Sequence, residues 1–219
     1  MSSVVKPTIA EVISFDKKAD SPKTEADMLA FADTIGQVMA QAEGFVGRYV
    51  GVSADGTYLL ANLWESQASA DTANQGIRGL QAAADFFAEI DMSTFVFRTV
   101  TLDTIARDLS VLPDAALIEM VTFNAVPNAN EATLVQKAEA MSDAMYTKAG
   151  YLARFLGKNT TSGLTGTTQW VIFNYWRDAA SNVQGNAELK TIPEALAFGA
   201  EIERYVFYKA FTLKLKTAR

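Results

Sequence analysis

The sequence predicts an α+β protein made of two copies of one unit, each ordered strand, helix, strand, strand, helix, strand. Three observations carry that prediction. The stretch Thr57 to Glu65, T-Y-L-L-A-N-L-W-E, recurs as Gln169 to Arg177, Q-W-V-I-F-N-Y-W-R. Segments around it recur in the same order: A-E-V-I-S-F (10–15) with I-E-M-V-T-F (118–123), E-G-F-V-G-R-Y-V-G (43–51) with A-G-Y-L-A-R-F-L-G (149–157), and F-V-F (95–97) with Y-V-F (205–207). The repeat length, about a hundred residues, is too long for a solenoid turn and right for two fused domains. The expected division is a first repeat over 1–103, a linker over 104–116 and a second repeat over 117–219.

Taken in order, the first strand spans Ile9 to Phe15. The first helix follows, with Thr24 and Asp27 placed as a capping box. Its apolar positions Met28, Ala32, Ile35, Met39 and Ala42 form a narrow stripe suited to covering a sheet. Leu134, Ala138, Met141 and Met145 repeat that rhythm in the second copy, and these methionines read as core. The second strand is Val46 to Val52, and Asp55-Gly56 is a two-residue hairpin signal into the third. The second copy has a longer Gly-rich loop there, Thr160 to Thr167. A second helical region ends near Ile90, with Leu80, Ala83, Phe87 and Ile90 on one side. Its counterpart starts near Pro193, where proline suits a first helical turn. The last strands are Thr94 to Leu102 and Arg204 to Leu213, and the linker with Pro113 is long enough for a short helix.

This order gives an antiparallel four-stranded sheet with two helices on one face, the ferredoxin-like plan. The strands alternate poorly, so both faces of each sheet read as apolar. A sheet bare on one side must bury it. The expected arrangement is therefore two four-stranded sheets packed face to face in a barrel-like core within one chain.

Composition removes many chemistries. The chain has no cysteine and no histidine. Disulfides, thiolate nucleophiles, His general bases and His- or Cys-ligated metal sites are thereby excluded, and no metal site is expected. The formal net charge of −6 lacks the basic footprint that nucleic acid or an anionic membrane requires. No apolar run is long enough to span a bilayer, and the N-terminal M-S-S-V-V-K-P lacks the plan of a signal peptide. A cytoplasmic monomer or homodimer is the expectation.

On a strand, alternate side chains share a face. One face reads Tyr58, Leu60, Asn62, Trp64, and its repeat reads Trp170, Ile172, Asn174, Trp176. Asn62 and Asn174 are either hydrogen-bond donors into a pocket or amides satisfied by nearby backbone; an unpaired buried amide would cost about 1–3 kcal/mol. Trp64 and Trp176, with Tyr58 and Trp170, either shape an aromatic-ligand pocket or fill the helix–sheet layer. Glu11 and Glu119 stand among core residues, as general bases or as partners in an ion pair with the duplicated Arg48 and Arg154, the pair being the favoured reading.

E-G-F-V-G-R-Y (43–49), S-A-D-G-T (53–57) and N-L-W-E-S-Q-A (62–68) together resemble the antibiotic biosynthesis monooxygenase family of the dimeric α+β barrel superfamily. The second repeat resembles it more loosely, through A-G-Y-L-A-R-F and N-Y-W-R-D-A-A-S. The resemblance implies that this chain is such a dimer fused, performing cofactor-free oxygenation of a small phenolic or polyketide-like aromatic. Asn62, Trp64, Asn174 and Trp176 would be the catalytic set, with Tyr58, Trp170, Arg48, Arg154, Glu11 and Glu119 at the substrate. A haem-degrading branch uses a histidine ligand, which this chain lacks. The quinone-forming branch has a functional Asn four residues before the tryptophan and a Tyr six after it. Here those positions hold Leu60 and Ala70, then Ile172 and Asn182. That departure favours, as the alternative, a non-catalytic small-molecule-binding or stress-associated barrel protein.

Overall fold

The computed structural model describes residues 6–106, 113–114, 116–160 and 169–218. Its described residues form eight antiparallel strands and six helices, an α+β architecture. The first repeat contributes β1 (Ile9–Lys17), α1 (Glu25–Met39), β2 (Phe45–Ser53), β3 (Tyr58–Trp64), α2 (Gln67–Ile77), α3 (Gln81–Ala88) and β4 (Ile90–Ala106). The second contributes β5 (Leu117–Ala125), α4 (Glu131–Met145), β6 (Tyr151–Asn159), β7 (Gln169–Trp176), α5 (Ala179–Leu189), α6 (Pro193–Gly199) and β8 (Ile202–Ala218).

Two compact units result, one of Met1–Thr99 with Leu213–Arg219 and one of Val100–Thr212. Each of the long last strands, β4 and β8, is therefore divided between units, a boundary different from that of the sequence repeats. In unit 1 the strand order is β4-β1-β3-β2-β8; in unit 2 it is β8-β5-β7-β6-β4. Both last strands extend well beyond the expected Thr94–Leu102 and Arg204–Leu213, to 17 residues each. The expected short linker helix and the Gly-rich loop fall mostly on 107–112, 115 and 161–168, outside the described residues.

Local chemistry explains most element ends. The Thr24 hydroxyl accepts from the Asp27 N–H, and the Asp27 carboxylate accepts from the Thr24 N–H at 2.8 Å, completing the capping box. Ser66, Asn130 and Asp178 cap α2, α4 and α5 with side-chain oxygens that accept from a backbone N–H three residues on. The expected stripe on α1 is buried at Met28, Ala32, Ile35 and Met39, and that on α4 at Leu134, Ala138, Met141 and Met145.

Three expectations need correction. The turn between β2 and β3 is not a two-residue loop. The type I′ turn that Asp-Gly favours needs positive φ at both central residues, whereas only Gly56 has it, at 88°. Gly56 N–H instead donates to Ser53 O and Ser53 N–H to Thr57 O, a three-residue loop closed by a left-handed glycine. Between β3 and β4, and between β7 and β8, there are two helices rather than one. On α3 the inward residue is Phe86, 3% exposed, while Phe87 is 42% exposed.

In each unit one sheet face packs under the helices. Phe15, Tyr58, Leu60, Trp64, Val50 and Val52 meet Met28, Ala32, Ile35, Met39 and Phe86 in unit 1. Phe123, Ile172, Trp170, Trp176 and Leu156 meet Leu134, Ala138, Met141 and Phe198 in unit 2. The alternate residues, such as Val12, Leu59 and Ala61 or Met120, Val171 and Phe173, are buried too. Buried side chains on both faces are why the strands alternate so poorly in sequence.

Candidate functional site

The antiparallel registers set the duplicated polar residues in rows. Glu11 pairs with Asn62 and Asn62 with Arg48; Glu119 pairs with Asn174 and Asn174 with Arg154. Directly paired residues share a face, so each unit carries a Glu–Asn–Arg row beneath its helices. All six side chains are buried. The ion pair favoured by the sequence does not organise the row. Arg154 donates to Ala138 O at 2.6 Å, while its Nε and Nη2 have no partner; Arg48 donates to Met39 Sδ, and its Nε and Nη2 are equally unpaired. Burial lowers the pKa of both guanidinium groups, that of Arg48 to about 10.

The two carboxylates are served by neutral donors instead. Glu11 accepts from Trp64 Nε1 at 3.1 Å and from Asn74 Nδ2 at 2.6 Å. Burial raises its pKa, and those hydrogen bonds partly offset the rise. Glu119 is surrounded more fully. Its Oε1 accepts from Asn182 Nδ2 at 2.9 Å, Asn186 Nδ2 at 2.6 Å and Tyr208 Oη at 2.8 Å, and its Oε2 accepts from Asn174 Nδ2 at 2.7 Å. Tyr151 Oη in turn donates to Asn174 Oδ1 at 3.2 Å. In unit 1 Phe45 occupies the equivalent place, offers no hydroxyl, and Asn62 Oδ1 is left without a partner.

Unit 2 opens a cleft of about 580 Å³ above this network. Its floor is Glu119, Val121, Ile172 and Asn174 on the sheet; its walls include Met141, Leu189 and Phe198 from the helices and Tyr205 and Tyr208 from β8. That size and its mostly apolar wall with a few convergent polar groups suit a small organic ligand. A second hollow, about 430 Å³, lies in unit 1 against α1, α2 and the segment after α1, and touches none of Glu11, Tyr58, Asn62 or Trp64.

One position accounts for much of this difference. The helices before the last strands end F-F-A-E-I (86–90) and F-G-A-E-I (198–202). Phe87 packs edge-on against Phe86 and Phe95. Gly199 stands in its place in unit 2, lines the cleft, and has open space where a Cβ would project.

Of the ten residues marked by the sequence, the cleft gathers Glu119 and Asn174. Trp170 is stacked with Phe123 under the Lys158 ammonium, and Trp176 packs against Tyr151. A Cβ on Gly185 would come within 2.1 Å of the Trp176 ring, so this tryptophan fills the helix–sheet layer. Trp64 packs on Phe45 and Tyr58 stacks on Phe15 in unit 1. Sequence reading missed Asn182, Asn186 and Tyr208 as site residues. The amides lie four apart on α5, one face of a helix, and Tyr208 pairs with Val121 on the Glu119 face of the sheet. Burial and the Glu119 carboxylate both push the Tyr208 pKa up, so it remains a neutral O–H donor.

No family model matches the chain, and no curated protein does. Solved structures do. A protein of Fusobacterium nucleatum named a putative monooxygenase superposes with a TM-score of 0.71 at 14% identity, covering 96% of this chain and 94% of that one. An anthrone oxidase-like protein gives 0.65 at 9% identity over 97% and 94%. A chlorite dismutase of Candidatus Nitrospira defluvii gives 0.59 at 8% identity over 96% and 92%. The chain has their fold. The likeness is to proteins named for monooxygenase and chlorite dismutase activities, at identities that carry fold alone. Among the described residues no group of three or more His, Cys, Asp or Glu is placed to hold a metal, and no helix is long and apolar enough to cross a membrane.

Proposed function

We propose that the cleft of unit 2 binds a small phenolic or polyketide-like aromatic and that the protein is a cofactor-independent monooxygenase. The observation that carries this is the apolar cleft closed at its floor by the Glu119–Asn174 pair. An electron-rich phenol or anthrone-type methylene can supply all the electrons that O₂ needs. In the net reaction a ring CH₂ and O₂ become a ring C=O and H₂O, four electrons passing from carbon to oxygen with no outside reductant. The protein's share is to hold the flat ring against Ile172 and Phe198, to exclude water, and to offer donors to the developing oxyanion. Likeness in fold to an anthrone oxidase-like protein and to a monooxygenase-named protein supports the reading. The reaction centre proposed here is narrower than the resemblance implied, with Asn174 retained and Asn62, Trp64 and Trp176 serving the packing.

Oxygen uptake by purified, metal-free protein with anthrone tests the reading. The expected result is a rate above the spontaneous reaction that falls by about 10²-fold in Asn174→Ala, the usual scale for losing one preorganised donor at a reaction centre. Stoichiometric binding without oxygen uptake would instead identify a non-catalytic binding protein.

A further inference from the structure

Among four hydrogen bonds to one buried carboxylate, the distribution is uneven. Glu119 Oε1 takes three donors, Asn182, Asn186 and Tyr208, whereas Oε2 takes one, from Asn174. An ionised carboxylate offers about four lone-pair sites, two on each oxygen. Oε2 therefore keeps acceptor capacity, next to Asn174 on a residue that lines the cleft. In unit 1 Asn74 serves Glu11 Oε1 as Asn186 serves Glu119 Oε1, and Asn62 also bonds the carboxylate, but Glu11 Oε2 accepts from the Trp64 indole. In unit 2 the Trp176 indole N–H has no partner, Asn182 stands where repeat 1 has Ala70, and β8 carries tyrosines where β4 has none. The second carboxylate thus lacks the tryptophan bond and has Asn182 and Tyr208 as further donors.

We propose that Glu119 is the catalytic base of this site, taking a proton from the bound substrate through Oε2, with Tyr208 and Asn186 as the donors that then stabilise the enolate oxygen. The inference rests on the phenolic-substrate reading above. The C–H bond of an anthrone-type methylene breaks heterolytically; its electron pair delocalises onto the ring oxygen as enolate, and the proton forms the Glu119 carboxylic acid. Neutralising that carboxylate weakens its hold on Tyr208 Oη and Asn186 Nδ2, which lie 3.2 Å from each other and both line the cleft. They become available to the enolate as its negative charge appears. Charge moves from one side of a fixed donor set to the other, which is the geometry that lets preorganised dipoles lower a barrier. When the enolate reduces O₂, the proton held by Glu119 leaves in the product water, and the carboxylate is restored. The other groups facing Glu119 are Asn174 on β7 and Asn182 on α5, both neutral; Lys190 after α5 and Tyr205 on β8 stand on the cleft wall.

Proton abstraction can be read without the oxygen step. In oxygen-free D₂O, uptake of deuterium at the methylene carbon of anthrone, followed by mass spectrometry, reports the base alone. Wild-type protein is expected to accelerate exchange over buffer, Glu119→Gln to lower that acceleration by about 10²-fold or more, and Tyr208→Phe by about tenfold. Tyr208 is 56% exposed, so its variant retains the fold even if Glu119→Gln, with its altered donor pattern, does not. No acceleration by wild type, or unchanged exchange in Tyr208→Phe and in a folded Glu119→Gln, would overturn the assignment. Exchange without oxygen uptake would remove the monooxygenase reading and leave the base standing; oxygen uptake without exchange would do the reverse.

Discussion

Glu11 and Glu119 hold the same place in the two repeats, and what surrounds each is different. Both stand in a Glu–Asn–Arg row on a buried sheet face. Around Glu11 the row has settled into packing, with the Trp64 indole on the carboxylate, phenylalanine at 45 and an aromatic pair at Phe87 and Phe95. Around Glu119 the same scaffold is rebuilt in polar groups: tyrosine at 151, asparagine at 182, Tyr208 from the last strand and a glycine at 199. Duplication lets one copy keep the core while the other carries a cleft. Neutral donors offset part of the desolvation of such a buried carboxylate without a counter-charge.

The Tyr151–Asn174 bond offers the larger test of that contrast. Tyr151→Phe should destabilise the protein by about 1 kcal/mol, the net worth of one buried hydrogen bond, and leave Asn174 as Asn62 now is. Phe45→Tyr should do the opposite in unit 1, adding about 1 kcal/mol by giving Asn62 Oδ1 its missing donor. Urea unfolding midpoints measure both; equal and null effects would mean that the two amides are already satisfied alike.

A finer effect concerns pH. Burial raises the Glu11 pKa above its ordinary 4.5, so the native state holds that proton at pH values where the unfolded chain has lost it. The stability from this group is therefore full below 4.5 and is lost as pH rises through the raised value. Glu11→Gln cannot lose a proton. Its stability relative to wild type should rise between pH 4.5 and neutrality, read as a shallower fall of the unfolding midpoint. A difference that stays constant across that range would contradict the assigned direction.

Much of the fold was legible because its signals are local and doubled. The capping box at Thr24 is a local pattern, and the helix stripes and the recurring N-x-W each have a partner about a hundred residues away. The extra helix in each repeat was hidden, since α2 and α5 are polar and rest on small residues, Ala70 and Ala73 in one and Ser181 and Gly185 in the other. The site was legible only in part. Glu119 and Asn174 stood out as polar residues in apolar strands. Tyr208 lies in an alternating strand where a tyrosine is ordinary, and its meeting with Glu119 depends on the β5–β8 register. Glycine at 199 against phenylalanine at 87 is visible in the sequence, but its consequence is a volume, which no local pattern encodes.

Calorimetric titration with 1-naphthol, a small phenol suited to the cleft, tests the central contrast between the repeats. The account predicts one ligand bound per chain, and none in Gly199→Phe, whose ring would enter the open space at that position. Undiminished binding in Gly199→Phe, or two ligands per wild-type chain, would contradict it.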